Sequence, residues 1–343
     1  MSGAHIFQRK VIAVSQLKYL SEYPYHPNVS SECKWLRSVP SKNRTCSSQS
    51  KWRAVRMASC QFSIGMTGRG GMLLASKTLN CFVSKEVAGI VMSRTPKLTG
   101  KKALITGGSR GIGAAIAHAF AGEGADVAFC HVDDPDGAAS VVADVQQFGQ
   151  RGFAHHCDIS DAAAARAFYT EAEAALGQVD ILVNNAGVSE EVPVENILLE
   201  RFDWMINVHL RATFVLSQLA YVGMKARGFG RIINISSNLA YKGAPGLAHY
   251  SAAKAGVVGF TRAFAQEAAP HGVLVNSIAP GPIDTRLNDT LSDEWKAWKA
   301  GSLPLRRIGR PEEIAPSAVL LASADGDFYV GQTLHPNGGD VMP

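Results

Sequence analysis

From Lys102 onward, short continuous apolar runs alternate with Ala-rich stretches of helical character. The runs cover residues 103–105, 127–130, 152–157, 181–183, 232–235 and 273–278; the helical stretches cover 114–121, 137–148, 162–176, 201–226 and 252–269. A strand with no polar alternation is buried on both faces, which is the pattern of a parallel sheet covered by helices on each side. Crossovers between parallel strands are right-handed, so the expected architecture is an α/β doubly wound sheet, with its ligand crevice beyond the strand C-termini. One domain over residues 92–343 accommodates every element, and no second folded domain is required.

The glycine-rich segment Thr106-Gly107-Gly108-Ser109-Arg110-Gly111-Ile112-Gly113 stands where the first run passes into the first helical stretch. Gly107 permits a tight turn, Gly111 removes a Cβ that would obstruct a pyrophosphate, and Gly113 lets helix pack closely on strand. The helix start offers unpaired N–H groups and the positive end of its dipole to phosphate. A glycine triplet by itself is weak evidence; its position after the first strand gives it weight.

Three further motifs follow in order: Asn184-Asn185-Ala186-Gly187, then Ser237, then Tyr250-x-x-x-Lys254. With the glycine turn, they resemble the short-chain dehydrogenase/reductase family from about Leu98 to the C-terminus, including Pro280-Gly281 and 309–313. The style is most similar to 3-oxoacyl-acyl-carrier-protein reductases. The resemblance implies a Rossmann-type fold and hydride exchange between a nicotinamide cofactor and a carbonyl or secondary alcohol. It further implies a cofactor site of Gly107, Ser109, Arg110, Gly111, Ile112, Gly113, His131, Asp158, Ile159, Asn185, Ala186, Gly187, Tyr250, Lys254, Pro280, Gly281, Ile283 and Thr285. Asp158 would meet the adenine, and Ile283 and Thr285 the carboxamide.

The chemistry of these residues agrees with that reading. A tyrosine titrates near 10 and needs help to act as an acid or base near neutral pH. Lys254 lies one helical turn after Tyr250, where its ammonium favours the tyrosinate. Ser237 ends the fifth strand and is expected to hydrogen-bond the substrate oxygen; Ser236 is its bland neighbour. His209 departs from the family pattern, standing where an asparagine that holds a relay water is usual. Histidine also bonds water and, with a pKa near 6.5, is able to titrate in the relay itself. The alternative is that His209 only satisfies a helix kink.

NADP is the expected cofactor, with NAD as the alternative. The second strand ends in His131 rather than in the acid that binds a ribose 2′-hydroxyl. Arg110 offers a guanidinium to a 2′-phosphate, whereas Asp133 and Asp134 oppose it if they fold inward. Substrate is less legible. Residues 285–307 are expected to form a lid carrying Trp295 and Trp298 on one face, lining a pocket or docking the lid. Leu247 and His249 are expected at the pocket edge. Arg227 and Arg231 are available to dock a carrier protein, while His271 stands where such reductases commonly carry arginine. A same-family NAD-dependent alcohol or sugar dehydrogenase is the nearest rival, and a catalytically silent nucleotide sensor is a rival of another class.

The net charge of +5 averages two unlike parts: residues 1–91 hold 13 Lys/Arg and three acids, whereas 92–343 hold 21 and 26. The mildly acidic larger part gives no support to nucleic-acid binding. Residues 1–91 contain four of the six cysteines, 14 serines and no aspartate. They read as translated upstream sequence, a targeting segment or a basic arm, and are expected to have little order and no catalytic part. No C-x-x-C pair suggests a metal, and no apolar run of about 18 residues suggests a membrane span. The expected enzyme is a cytoplasmic homotetramer acting on a small molecule, with organelle targeting left open.

Overall fold

The computed structural model describes residues 95–286 and 292–343, so the expected basic extension over 1–91 and the domain start at Met92 lie outside the described residues. Seven parallel strands form one sheet in the order β3-β2-β1-β4-β5-β6-β7. They are β1 (Lys102–Ile105), β2 (Asp126–His131), β3 (Gly152–His156), β4 (Ile181–Asn184), β5 (Gly230–Ile235), β6 (Val273–Ile278) and β7 (Thr333–Leu334). The order reverses direction between β1 and β4, which opens the crevice at their C-terminal ends.

Helices α1 (Gly111–Gly122), α2 (Pro135–Gln147) and α3 (Ala162–Leu176) supply the crossovers of the first half. In the second half come α4 (Leu199–Ile206), α5 (Ala212–Arg227), the short α6 (Leu239–Lys242), α7 (Ala248–Ala268), α8 (Asp293–Ser302) and α9 (Ala315–Ala322). Ile105, Val127, Phe129, Val183 and Ile233 pack on one sheet face against Ile116, Phe120 and Val319. Leu104, Ala128, Leu182, Ile232 and Val275 pack on the other against Phe168, Leu216 and Met224. This is the two-faced burial that the unalternated strands require.

The doubly wound sheet is as expected, with two local differences. The helical stretch over 201–226 is broken: a π-helical turn at Asn207–Arg211 separates α4 from α5. Such turns insert an extra residue into the helical ladder and are frequent at functional sites. The two-residue β7 is the other. Its exposed neighbours and brevity give no apolar run, and it exists because Ser277 and Ile278 pair with Thr333 and Leu334.

Candidate active site

The glycine turn is held by reciprocal bonds. Thr106 Oγ1 accepts from the backbone N–H of Asn185 and of Ala186, each at 2.9 Å. Asn185 Nδ2 in turn donates to the carbonyls of Thr106 and Gly107 at 2.9 and 3.0 Å. Asn185 thus staples β4 to the turn. A Cβ on Gly113 would stand 2.0 Å from the Gly107 carbonyl oxygen, so only glycine lets α1 start this close to the turn. Gly111 has φ +55°, and its missing Cβ would lie 3.3 Å from the Thr285 methyl, so Thr285 stands beside the turn.

No side chain caps α1. Its leading N–H groups and the open glycine surface fit the pyrophosphate of a dinucleotide. Ser109 is buried at the turn, and Ile112 packs beneath it. His131 ends β2; Asp158 and Ile159 follow β3; Ile283 follows Pro280-Gly281 after β6. All of these lie at the C-terminal edge of the sheet, the edge the crevice occupies. Asp134 does fold inward. Its carboxylate is nearly buried and lies 3.7 Å from Arg110 and 3.9 Å from Arg286, whereas Asp133 stays exposed beside His156.

Ser237, Tyr250 and Lys254 come together at the same edge. Ser237 follows β5, and Tyr250 and Lys254 share the buried face of α7. Burial pushes the Tyr250 hydroxyl pKa up, and the neighbouring Ser237 partly opposes this. Lys254 Nζ donates to the Ile235 carbonyl at 2.8 Å, 5.8 Å from the centre of the Tyr250 ring. Burial pulls its pKa down to about 7. Ser236 Oγ donates to the Lys254 carbonyl at 3.0 Å, which ties the end of β5 to α7.

His209 occupies the middle of the π-helical turn, buried, with its ring edge-on to Tyr250 at 5.3 Å between centres. Nε2 lies 2.9 Å from the Val188 carbonyl oxygen and 3.3 Å from the Val188 backbone nitrogen, and Nδ1 is buried without a protein partner among the described residues. Gly187 makes room for the ring: a Cβ there would stand 2.6 Å from His209 Cε1. Burial, with Lys254 adding to it, holds the His209 pKa well below its ordinary 6.5. The ordinary pKa near 6.5 expected from the residue type therefore does not hold for this buried ring.

Several substrate-side expectations change. Arg231 is buried at the start of β5 and pairs with Asp327, and Arg227 donates to the Val179 carbonyl at 2.7 Å. Both stand at the N-terminal edge of the sheet, opposite the crevice, as does His271 just before β6. Short-range spacing places these cations in the chain but not at an edge, so none of them docks a partner at the site mouth. His249, expected at the pocket edge, is fully buried. Trp295 and Trp298 do share a face of α8, with ring centres 6.2 Å apart, and Trp298 is two-thirds exposed.

Sequence reasoning missed Asp340. Its carboxylate accepts from Lys242 Nζ at 2.6 Å, from Lys299 Nζ at 2.7 Å and from Asn238 Nδ2. No local pattern marks it, because all three partners are distant in the chain.

Residues 107–340 match a family profile described as enoyl-(acyl carrier protein) reductase. The chain is 38% identical to a 3-oxoacyl-[acyl-carrier-protein] reductase of Staphylococcus aureus over 242 residues, 71% of this chain and 98% of that protein. It is 40% identical to an acetoacetyl-CoA reductase of Shinella zoogloeoides over 70% of this chain and 98% of that one. Among solved structures, a blue fluorescent protein from a metagenomic library, in complex with NADPH, is 37% identical with a TM-score of 0.68, covering 72% of this chain and all of that one.

Proposed function

Because the chain belongs to the short-chain dehydrogenase/reductase family, we propose that it is an NADP-dependent reductase of 3-oxoacyl-type carbonyl compounds. The observation that carries this reading is the buried Ser237–Tyr250–Lys254 group at the same sheet edge as a glycine turn whose missing side chains leave room for a pyrophosphate. When bound, the nicotinamide supplies the hydride. Tyr250 gives its hydroxyl proton to the carbonyl oxygen, and Ser237 donates a hydrogen bond that orients that oxygen. Lys254, once charged, favours the tyrosinate left behind. Arg110 and Arg286 together offer two guanidinium groups to a 2′-phosphate. The described helices include none long and apolar enough to cross a membrane. Exposed Phe214 and Val222 on α5 suit burial against a copy, so the same reading includes a homotetramer, which light scattering would check.

The purified protein should reduce acetoacetyl-CoA with NADPH, and with a higher kcat/KM than with NADH. One observation favours the second reading, an NAD-dependent alcohol or sugar dehydrogenase: Asp134 faces both arginines and repels a phosphate. Asp134→Asn should therefore sharpen the NADPH preference, and His131→Asp should move it toward NADH. A wild-type preference for NADH with polyols would establish the rival, and no turnover with either cofactor would favour a silent sensor.

His209 is read as the relay group in place of asparagine. Its free Nδ1 accepts from a water, and its neutral ring adds no titration of its own. His209→Asn should then be tolerated, while His209→Leu, which fills the space without an acceptor, should slow turnover by about tenfold with cofactor affinity unchanged. The pH profile of the wild type should show no inflection that His209→Asn removes. Wild-type kinetics in His209→Leu would reduce the residue to packing in the π-helical turn.

A further inference from the structure

The C-terminal segment makes a turn whose shape is fixed in detail. Asn337 Oδ1 accepts from the Gly339 backbone N–H at 2.9 Å, and its Nδ2 donates to the Val341 carbonyl at 2.7 Å. Gly339 has φ +88° and abuts Pro304, where a Cβ would lie 2.6 Å from the ring, and Leu305 N–H donates to the Gly338 carbonyl at 3.3 Å. The turn presents one nearly buried carboxylate, Asp340, to three separate elements. Lys299 comes from α8, Lys242 from the end of α6, and Asn238 from the residue after Ser237.

The amide of Asn238 can face only one way in this arrangement. Its Nδ2 donates to Asp340, so its Oδ1 is left to accept from Ser237 Oγ at 3.2 Å. Ser237 Oγ also accepts from the Leu239 N–H at 3.1 Å. The position of Ser237 Oγ is thus tied to Asp340 through a single amide. The same carboxylate separates two ammonium groups that would otherwise repel.

We propose that Asp340 is a positioning residue, a latch that holds α8 against the site and, through Asn238, holds Ser237 Oγ in place until its proton turns from Asn238 to an arriving substrate oxygen. The proposal rests on the reading of Ser237 as the residue that orients the substrate oxygen. Removing the carboxylate leaves Lys242 and Lys299 facing each other and frees Asn238 to rotate. Asp340→Ala should raise KM for acetoacetyl-CoA by about tenfold and lower kcat by about threefold, with NADPH affinity within twofold of wild type. Lys299→Met breaks only the α8 arm, so it should raise KM and leave kcat alone. Placed in the Asp340→Ala background, Lys299→Met should lower KM again, because it removes the repulsion; a purely structural role predicts further loss instead.

Hydrogen–deuterium exchange of the α8 amides, measured without substrate, gives a readout independent of turnover. Exchange should rise in Asp340→Ala and Lys299→Met while β4 and β5 stay protected. If Asp340→Ala does not fold, Asp340→Asn and Lys299→Met decide the matter by the same measurement. Unchanged α8 exchange in these variants, or unchanged KM and kcat in Asp340→Ala, would overturn the latch. An inactive wild type would instead sink the reductase reading, and the exchange result would still decide whether Asp340 holds α8.

Discussion

Tyr250→Phe should lower turnover of acetoacetyl-CoA with NADPH by on the order of a hundredfold or more, since a positioned general acid is worth 10²–10⁴. The ring is buried among Met205, Ala253, Val188 and Leu247 and lies edge-on to His209, and phenylalanine preserves all of that packing. The melting temperature and the NADPH dissociation constant should therefore stay close to wild type. Loss of the hydroxyl removes the only group at this position able to give a proton to the carbonyl oxygen. Near-normal turnover in the variant would mean that the proton comes from elsewhere and that the assignment of Tyr250 is wrong.

Lys254→Met should abolish activity yet raise stability near neutral pH. Burial draws the ammonium of Lys254 from its ordinary 10.5 to about 7. Below pH 7 that shift corresponds to a cost on the order of 5 kcal/mol, at about 1.4 kcal/mol per pH unit. The variant also loses the 2.8 Å bond to the Ile235 carbonyl, and an unpaired buried carbonyl costs roughly 1–3 kcal/mol. The net gain is about 2 kcal/mol, or roughly 5 °C in Tm for a domain of this size. The sign of the pH dependence follows from linkage. Between pH 7 and 10.5 the unfolded chain binds more protons at Lys254 than the folded one, so wild-type stability rises with pH across that window. In Lys254→Met this component of the slope should vanish. Calorimetry of the cofactor-free protein at pH 6, 7.5 and 9 measures both effects, and a variant less stable than wild type at every pH would contradict the assigned burial cost.

The sequence alone determined the parallel sheet, the crevice edge and the residues that meet there. Unalternated apolar strands cannot be satisfied except by burial on both faces, which leaves few architectures. The spacing of Tyr250 and Lys254 is one helical turn, and the glycines mark a strand-to-helix turn; both are local facts that survive folding unchanged. Other features were decided only by tertiary structure. Arg227 and Arg231 lie near catalytic residues in sequence, yet the direction of β5 carries them to the opposite edge of the sheet. Asp134 turns inward because two arginines converge on it, one of them Arg286 from beyond β6. The His209 pKa is held well below its ordinary value because burial, with Lys254 adding to it, meets the ring across the fold, and Gly187 yields the space for that ring. Asp340 reaches Asn238 across 102 positions of chain. Local periodicity and spacing encode contacts within a few residues, whereas the charge and hydrogen bonding of a buried group depend on neighbours that only the packed sheet and its helices bring together.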